Sequence, residues 1–223
     1  MKELPDGSIV LPQHVEYHGI TPPKGRREHF TGHFHTGDDE SRALDFWSYT
    51  EFQWGLVIQA RPGVVDLANQ IPFQWRDADG KMRTHNFDFV AYMDDGTRTA
   101  IMVKAACRMK SADLRKRITA ISSQARGTFA DRVVTMTENH IDRVELFNAE
   151  LLHEMRRPDP VPDAAVRRAI RDLVGAARVG DLVDHIGLGA DGFRAIVRLV
   201  RSRELVLAER ARLTHDALVR RAN

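Results

Sequence analysis

The chain is nearly free of sulfhydryl chemistry: 223 residues hold one cysteine, Cys107. A single cysteine excludes an internal disulfide and fits a reducing compartment, and by the habit of unpaired cysteines it is expected to be a small buried hydrophobe. Long apolar runs are also missing. No stretch approaches the roughly 18 apolar residues of a membrane span. The opening Met-Lys-Glu-Leu-Pro-Asp-Gly-Ser carries no apolar stretch of a secretory signal. The expected location is therefore cytoplasmic, with no membrane partner. Bulk charge is small, at +2, but it is unevenly spread. From Arg156 onward there are fourteen arginines, no lysine and nine acids, a balance of +5 that leaves the first 155 residues at −3. An arginine-only basic third predicts a surface for phosphates or an acidic partner, although arginines scattered on helices are also simply a solvated face.

At 43% hydrophobic, the chain can bury one good core and a second small one. Residues 1–40 are rich in proline and glycine with little periodicity, which predicts an N-terminal arm with a short strand near Ser8 to Leu11. His29, His33 and His35 lie close together, but no cysteine or second ligand pair follows at a structural-zinc spacing. Lys24, Arg26 and Arg27 are candidate phosphate contacts and equally plain solvated charges.

The stretch from Thr84 to Ala105 organises the rest. Phe87, Phe89, Val90 and Tyr92 read as a strand, Asp95-Gly96 as a tight turn, and Ile101, Met102 and Val103 as the returning strand. The pairing brings Asp88 opposite the run ending in Lys104. An acid facing a lysine at the end of the next strand is the core of a PD-(D/E)xK nuclease site, in which a carboxylate holds a divalent metal and the lysine steadies water and phosphate. The same residues also fit a solvated hairpin with an ordinary cross-strand ion pair.

Ser48-Tyr49-Thr50-Glu51 opens a helix to about Ala60, stopped by Arg61-Pro62-Gly63. Glu51 fits a capping box and, in the nuclease reading, projects towards the metal. Val64 to Leu67 and Phe73 to Arg76 read as two strands with a link between them, followed by a turn at Asp77 to Lys81. A helix is expected over residues 111–129, burying Leu114, Ile118, Ile121 and Ala125 and presenting Arg108, Lys110, Arg115, Lys116, Arg117 and Arg126, the best DNA-backbone candidates of this half. A strand at Val133 to Thr137 and a helix from Asn139 to Met155 complete an α/β core.

Arg157-Pro158-Asp159-Pro160-Val161-Pro162 reads as a semi-rigid spacer. The domains expected are thus an arm at 1–40, an α/β domain at 41–156, a linker at 157–163 and a small domain at 164–223. The last shows three helical segments, Ala164 to Ala177, Asp181 to Ile186 and Asp191 to Arg203, then a strand at Glu204 to Ala208 and another near Leu218-Val219. That order matches the winged-helix form of helix-turn-helix. Arg194, Arg198 and Arg201 share one face of the candidate recognition helix, facing DNA or solvent.

The ordered run Ser48-x-x-Glu51, Val64-Val65-Asp66, Gln70-x-Pro72-Phe73, Asp88-Phe89, Val103-Lys104, Val133-Val134-Thr135 and Asn148-x-x-Leu151-Leu152 resembles the TnsA-like endonuclease subunits of heteromeric transposases, over roughly residues 41–223. The resemblance implies a restriction-endonuclease-like mixed sheet flanked by helices, followed by a winged helix. It implies an enzyme that cuts one strand at each transposon end, with a DDE-type transposase and an ATP-dependent regulator as partners. Glu51, Asp88 and Lys104 match the catalytic positions. Mg2+, or Mn2+ in its place, would be held by Asp88, Glu51 and the Val103 carbonyl. One position departs from the pattern: Met102 stands where the family has glutamate or glutamine. A soft thioether does not replace an oxygen ligand on Mg2+. The alternative is a catalytically degenerate DNA-binding or assembly subunit on the same fold.

Overall fold

The computed structural model describes residues 30–37 and 42–222, and before them the backbone of three two-residue strands, β1 (Lys2–Glu3), β2 (Ile9–Val10) and β3 (Gln13–His14). Contacts divide the chain into two compact units, Met1–Ile141 and Asp142–Asn223. Lys24, Arg26, Arg27 and His29 fall outside the described residues. Among those that are described, no helix is long and apolar enough to cross a membrane.

The first unit is mixed α/β. Strands β4 (Gly32–Thr36) and β5 (Arg42–Phe46) pair antiparallel, and β3 joins β5 in parallel. Phe34, Leu44 and Phe46 are buried, so residues 32–36, expected to be part of the arm, belong to the core instead. Helix α1 (Tyr49–Ala60) follows. At Gly55 an added Cβ would stand 2.6 Å from the Phe34 ring and 3.3 Å from that of Phe89, so the missing side chain lets helix, small sheet and main sheet meet closely.

The main sheet runs β6 (Val64–Arg76), β7 (Met82–Met93), β8 (Arg98–Val103), β9 (Arg132–Met136), in that order. The first three are antiparallel and β9 is parallel to β8, as its crossover through helix α2 (Ala112–Ala125) permits. Asp77–Lys81 and Asp95–Gly96 make the two turns as expected, with Gly80 and Gly96 in the left-handed region. The two short strands expected before the first turn are one continuous 13-residue strand, because β7 is long enough to pair with all of it. Phe89 packs against α1, while its neighbour Val90 joins Met102, Ile121 and Ala125 on the α2 side. Successive strand residues point to opposite faces, so helices flank the sheet on both sides.

The second unit holds α3 (Arg143–Glu154), α4 (Pro160–Ala169), β10 (Ala176–Arg178), α5 (Val179–Ile186), α6 (Gly189–Arg201), β11 (Leu205–Leu207) and β12 (Leu218–Arg221). Its antiparallel sheet has the order β10-β12-β11. Val166, Val179, Ile196, Leu199, Leu205 and Val219 form its centre with essentially no exposure. The helix expected from Asn139 begins later. Glu138–His140 is a 3-10 turn, and Asp142 caps α3 by accepting from the amides of Val144 and Glu145. The proline-rich stretch is only partly a spacer, since Pro160 opens α4, where a proline costs no helical hydrogen bond. Strand β10 had no counterpart in the sequence reading, and α4 ends at Ala169 rather than Ala177.

Candidate active site

The pairing of β7 with β8 ends at Phe89 and Ile101. Beyond that pair the strands part, and the Val103 amide has no β7 carbonyl to meet. Asp88 Oδ2 takes that carbonyl's place, accepting from Val103 N at 2.7 Å. Lys104 Nζ donates to the same Oδ2 at 3.0 Å and to the Val103 carbonyl at 2.8 Å. The backbone of Lys104 is fixed from the other side, its amide donating to the Met136 carbonyl of β9. Acid and lysine are thus held at the point where a sheet opens.

Glu51 approaches from α1. Ser48 Oγ accepts from the Glu51 amide at 3.1 Å and donates to Glu51 Oε1 at 3.0 Å, and the Trp47 amide donates to Oε2 at 2.9 Å. Ser48 thus caps α1, while Glu51 reaches past the cap residue to the Trp47 amide, so half of the expected capping box is formed, and the same carboxylate lies near Asp88. Burial first and the Asp88 charge second push the Glu51 carboxyl up to about 7, against the opposing pull of its hydrogen bonds and of Lys104. The cap and the site share one side chain.

Asp88 and Lys104, with Trp47 beside Glu51, border a cleft of about 310 Å³. Asp88, Lys104, Arg108 and Arg117 give it charge, and Gln70, Thr84, His85 and Asn86 give it further polar atoms. The sequence shows Gln70 only as part of the Gln70-x-Pro72-Phe73 run, with no role at the site expected of it, and none was expected of His85 or Asn86. Asn86 was reachable by strand alternation, two residues before Asp88. Gln70 was not, because its place across from Asp88 depends on a register that shifts between Val64 and Asp66. His85 Nε2 and Asn86 Oδ1 are buried without a hydrogen-bond partner among the described residues. Burial, with Lys104 and Arg117 nearby, lowers His85 to about 4, so it is a neutral imidazole at physiological pH.

Met102 also borders the cleft but is 0% exposed, packed in the cluster with Phe87, Val90 and Ile121. Full burial of such a side chain contributes roughly 1.5–3 kcal/mol, so its packing accounts for it without a role as ligand. The remaining donors suit a hard cation in type: two buried carboxylates, the Val103 carbonyl, and Asp88 Oδ1, which accepts no hydrogen bond among the described residues. They are few in number. Among the described residues no group of three or more His, Cys, Asp or Glu side chains is placed to hold a metal. That covers His33 and His35, whose rings meet edge to face at 5.5 Å.

The basic residues separate into several groups. Arg108, Lys110, Arg115 and Lys116 are exposed, but Arg115 also donates to the Met109 and Lys110 carbonyls at 2.8 Å and so pins the turn before α2. Arg117 lies over the Trp75 ring at 5.9 Å. In the second unit, Arg194 is exposed beside Asp191. Arg198 is not on that surface: its side chain is 11% exposed and donates to Asp163, itself 7% exposed, at 2.6 Å. Helical spacing put Arg194, Arg198 and Arg201 on one face, but α4 covers that face at Arg198. Arg201 is half-buried. Cys107, expected to be buried, is exposed.

No protein-family model matches the chain, and comparison with curated proteins finds no similar sequence.

Proposed function

We propose that the chain is a divalent-metal-dependent DNA endonuclease of a transposon-like system. In this reading the first unit is a restriction-endonuclease-like domain and the second a winged helix, and the protein nicks one strand at element ends beside a DDE-type transposase and an ATP-dependent regulator. The observation that carries it is Asp88 and Lys104 joined at 3.0 Å where β7 and β8 part, with the Glu51 carboxylate close enough to feel both charges. Asp88, Glu51 and the Val103 carbonyl would hold the metal. Bound there, Mg2+ would supply a Lewis acid for the phosphate and an acidified water. Lys104 places a cation beside the developing charge of the phosphate, and neutral His85 leaves the cleft's positive charge to Lys104, Arg108 and Arg117.

A second reading, a non-cutting DNA-binding or assembly subunit on the same fold, draws on the burial of Met102 in an apolar cluster at the motif position. One assay separates the two. The natural protein, Asp88→Ala, Lys104→Ala and Met102→Gln are each incubated with supercoiled DNA, Mg2+ or Mn2+ and the partner proteins. Nicking by the natural protein that falls at least about 10²-fold in the Asp88 and Lys104 variants, the size of effect of one lost electrostatic group, supports the nuclease. Nicking by Met102→Gln alone supports the second reading.

A further inference from the structure

Building on the proposed metal site, we infer that Gln70 supplies the side-chain oxygen that Met102 cannot. A hard cation of the Mg2+ type wants about six oxygens, and the chain offers two carboxylates and one carbonyl, a thin set even with waters. Gln70 lies in the strand facing Asp88. Its neighbours pair as Asn69 with Phe89 and Ile71 with Phe87, which sets Gln70 directly across from Asp88. Its backbone has φ +53, a left-handed conformation that a glutamine adopts inside a strand only at a cost of order 1–3 kcal/mol. The flanking ladder holds that conformation in place. Its side chain lines the same cleft as Asp88, Met102 and Lys104 and makes no hydrogen bond among the described residues. An amide oxygen is a hard neutral donor that adds ligation without a third negative charge beside Glu51 and Asp88. The role thus moves from β8 to the facing residue of β6, while the β8 position turns into the core.

The test is Mn2+ binding by calorimetry in the full chain. Gln70→Asn keeps a residue at home in the left-handed region and shortens its reach, and it should weaken binding about tenfold or more. Gln70→Glu keeps the reach and adds charge, and it should bind more tightly than the natural protein, which shows that an oxygen at this position reaches the metal. Asp88→Ala should bind nothing. If the natural protein and both Gln70 variants bind alike while Asp88→Ala does not, the metal site stands and the role of Gln70 is overturned. If the natural protein binds no Mn2+ either, the metal reading falls and the inference falls with it.

Discussion

Glu51 braces the start of α1 by accepting from the Trp47 amide and the Ser48 hydroxyl and, with the same buried carboxylate, feels the charge of Asp88. Its folded-state value near 7 lies above the ordinary 4.5, so between those pH values the folded chain binds a proton that the unfolded chain has lost. Stability must then fall as pH rises from about 4.5 through about 7, by an amount on the order of 3 kcal/mol for an isolated group. That value of about 7 already contains the hydrogen bonds from Trp47 and Ser48 and the Lys104 charge, which pull the other way. Glu51→Gln keeps an acceptor for the Trp47 amide and removes the charge. Thermal unfolding without metal should show it more stable than the natural protein at pH 8 by about 1–3 kcal/mol, with the gap closing towards pH 4.5. A gap that is constant across pH would mean that Glu51 stays ionised in the folded chain. A buried carboxylate that destabilises its own fold at neutral pH is hard to explain by capping alone, since a neutral side chain would cap as well.

Among the elements, α4 and α6 show how two arginines four residues apart on one helix come to differ. Arg198 is enclosed with Asp163, which also accepts from the Asp159 amide at the start of α4, so one carboxylate serves a helix start and an ion pair between helices. Among the described residues Arg194 pairs only with the exposed Asp191 three residues before it, a pairing worth at most about 1 kcal/mol. Arg198→Ala should therefore cost roughly 3–5 kcal/mol, read from denaturant unfolding, because it leaves a buried charge alone. Arg194→Ala should leave unfolding unchanged. If the second unit binds DNA, that variant should lower the slope of log affinity against log salt by about 1. A salt slope insensitive to Arg194 would turn the proposed DNA surface into one for an acidic protein. The sequence could show the spacing of these arginines but not which of them a neighbouring helix would cover.

For the whole molecule, what the sequence made legible were features set by local chemistry: the Ser48 cap, the two Asp-Gly turns, the strand carrying Asp88 and the strand ending in Lys104. What it hid depended on partners distant in the chain. Residues 32–36 become core through Phe34 against α1, Cys107 ends exposed, and Gln70 meets the site only through the β6 register. The boundary between units is the largest such case. Three prolines in five positions pointed to a break at 157–163, yet the contacts divide before α3, at Ile141 and Asp142. The reason lies in Asn148. Its Nδ2 donates to the Ala211 carbonyl at 2.9 Å and its Oδ1 accepts from the Leu213 amide at 2.7 Å, while Arg212 lies over the Phe147 ring at 5.0 Å. Asp142 is also paired with Arg210. Helix α3 is thus tied to the segment between β11 and β12, and prolines mark a change of direction inside the unit rather than its edge. A fragment of residues 142–223 should unfold in one cooperative transition, and one of residues 157–223, lacking α3, should be less stable by at least about 2 kcal/mol, since both amide bonds to Asn148 and the Phe147 contact are lost together. Equal stability of the two fragments would restore the boundary to the prolines. Asn148→Ala in the longer fragment should reproduce at least about half of the loss, which would assign that part to those two hydrogen bonds rather than to chain length.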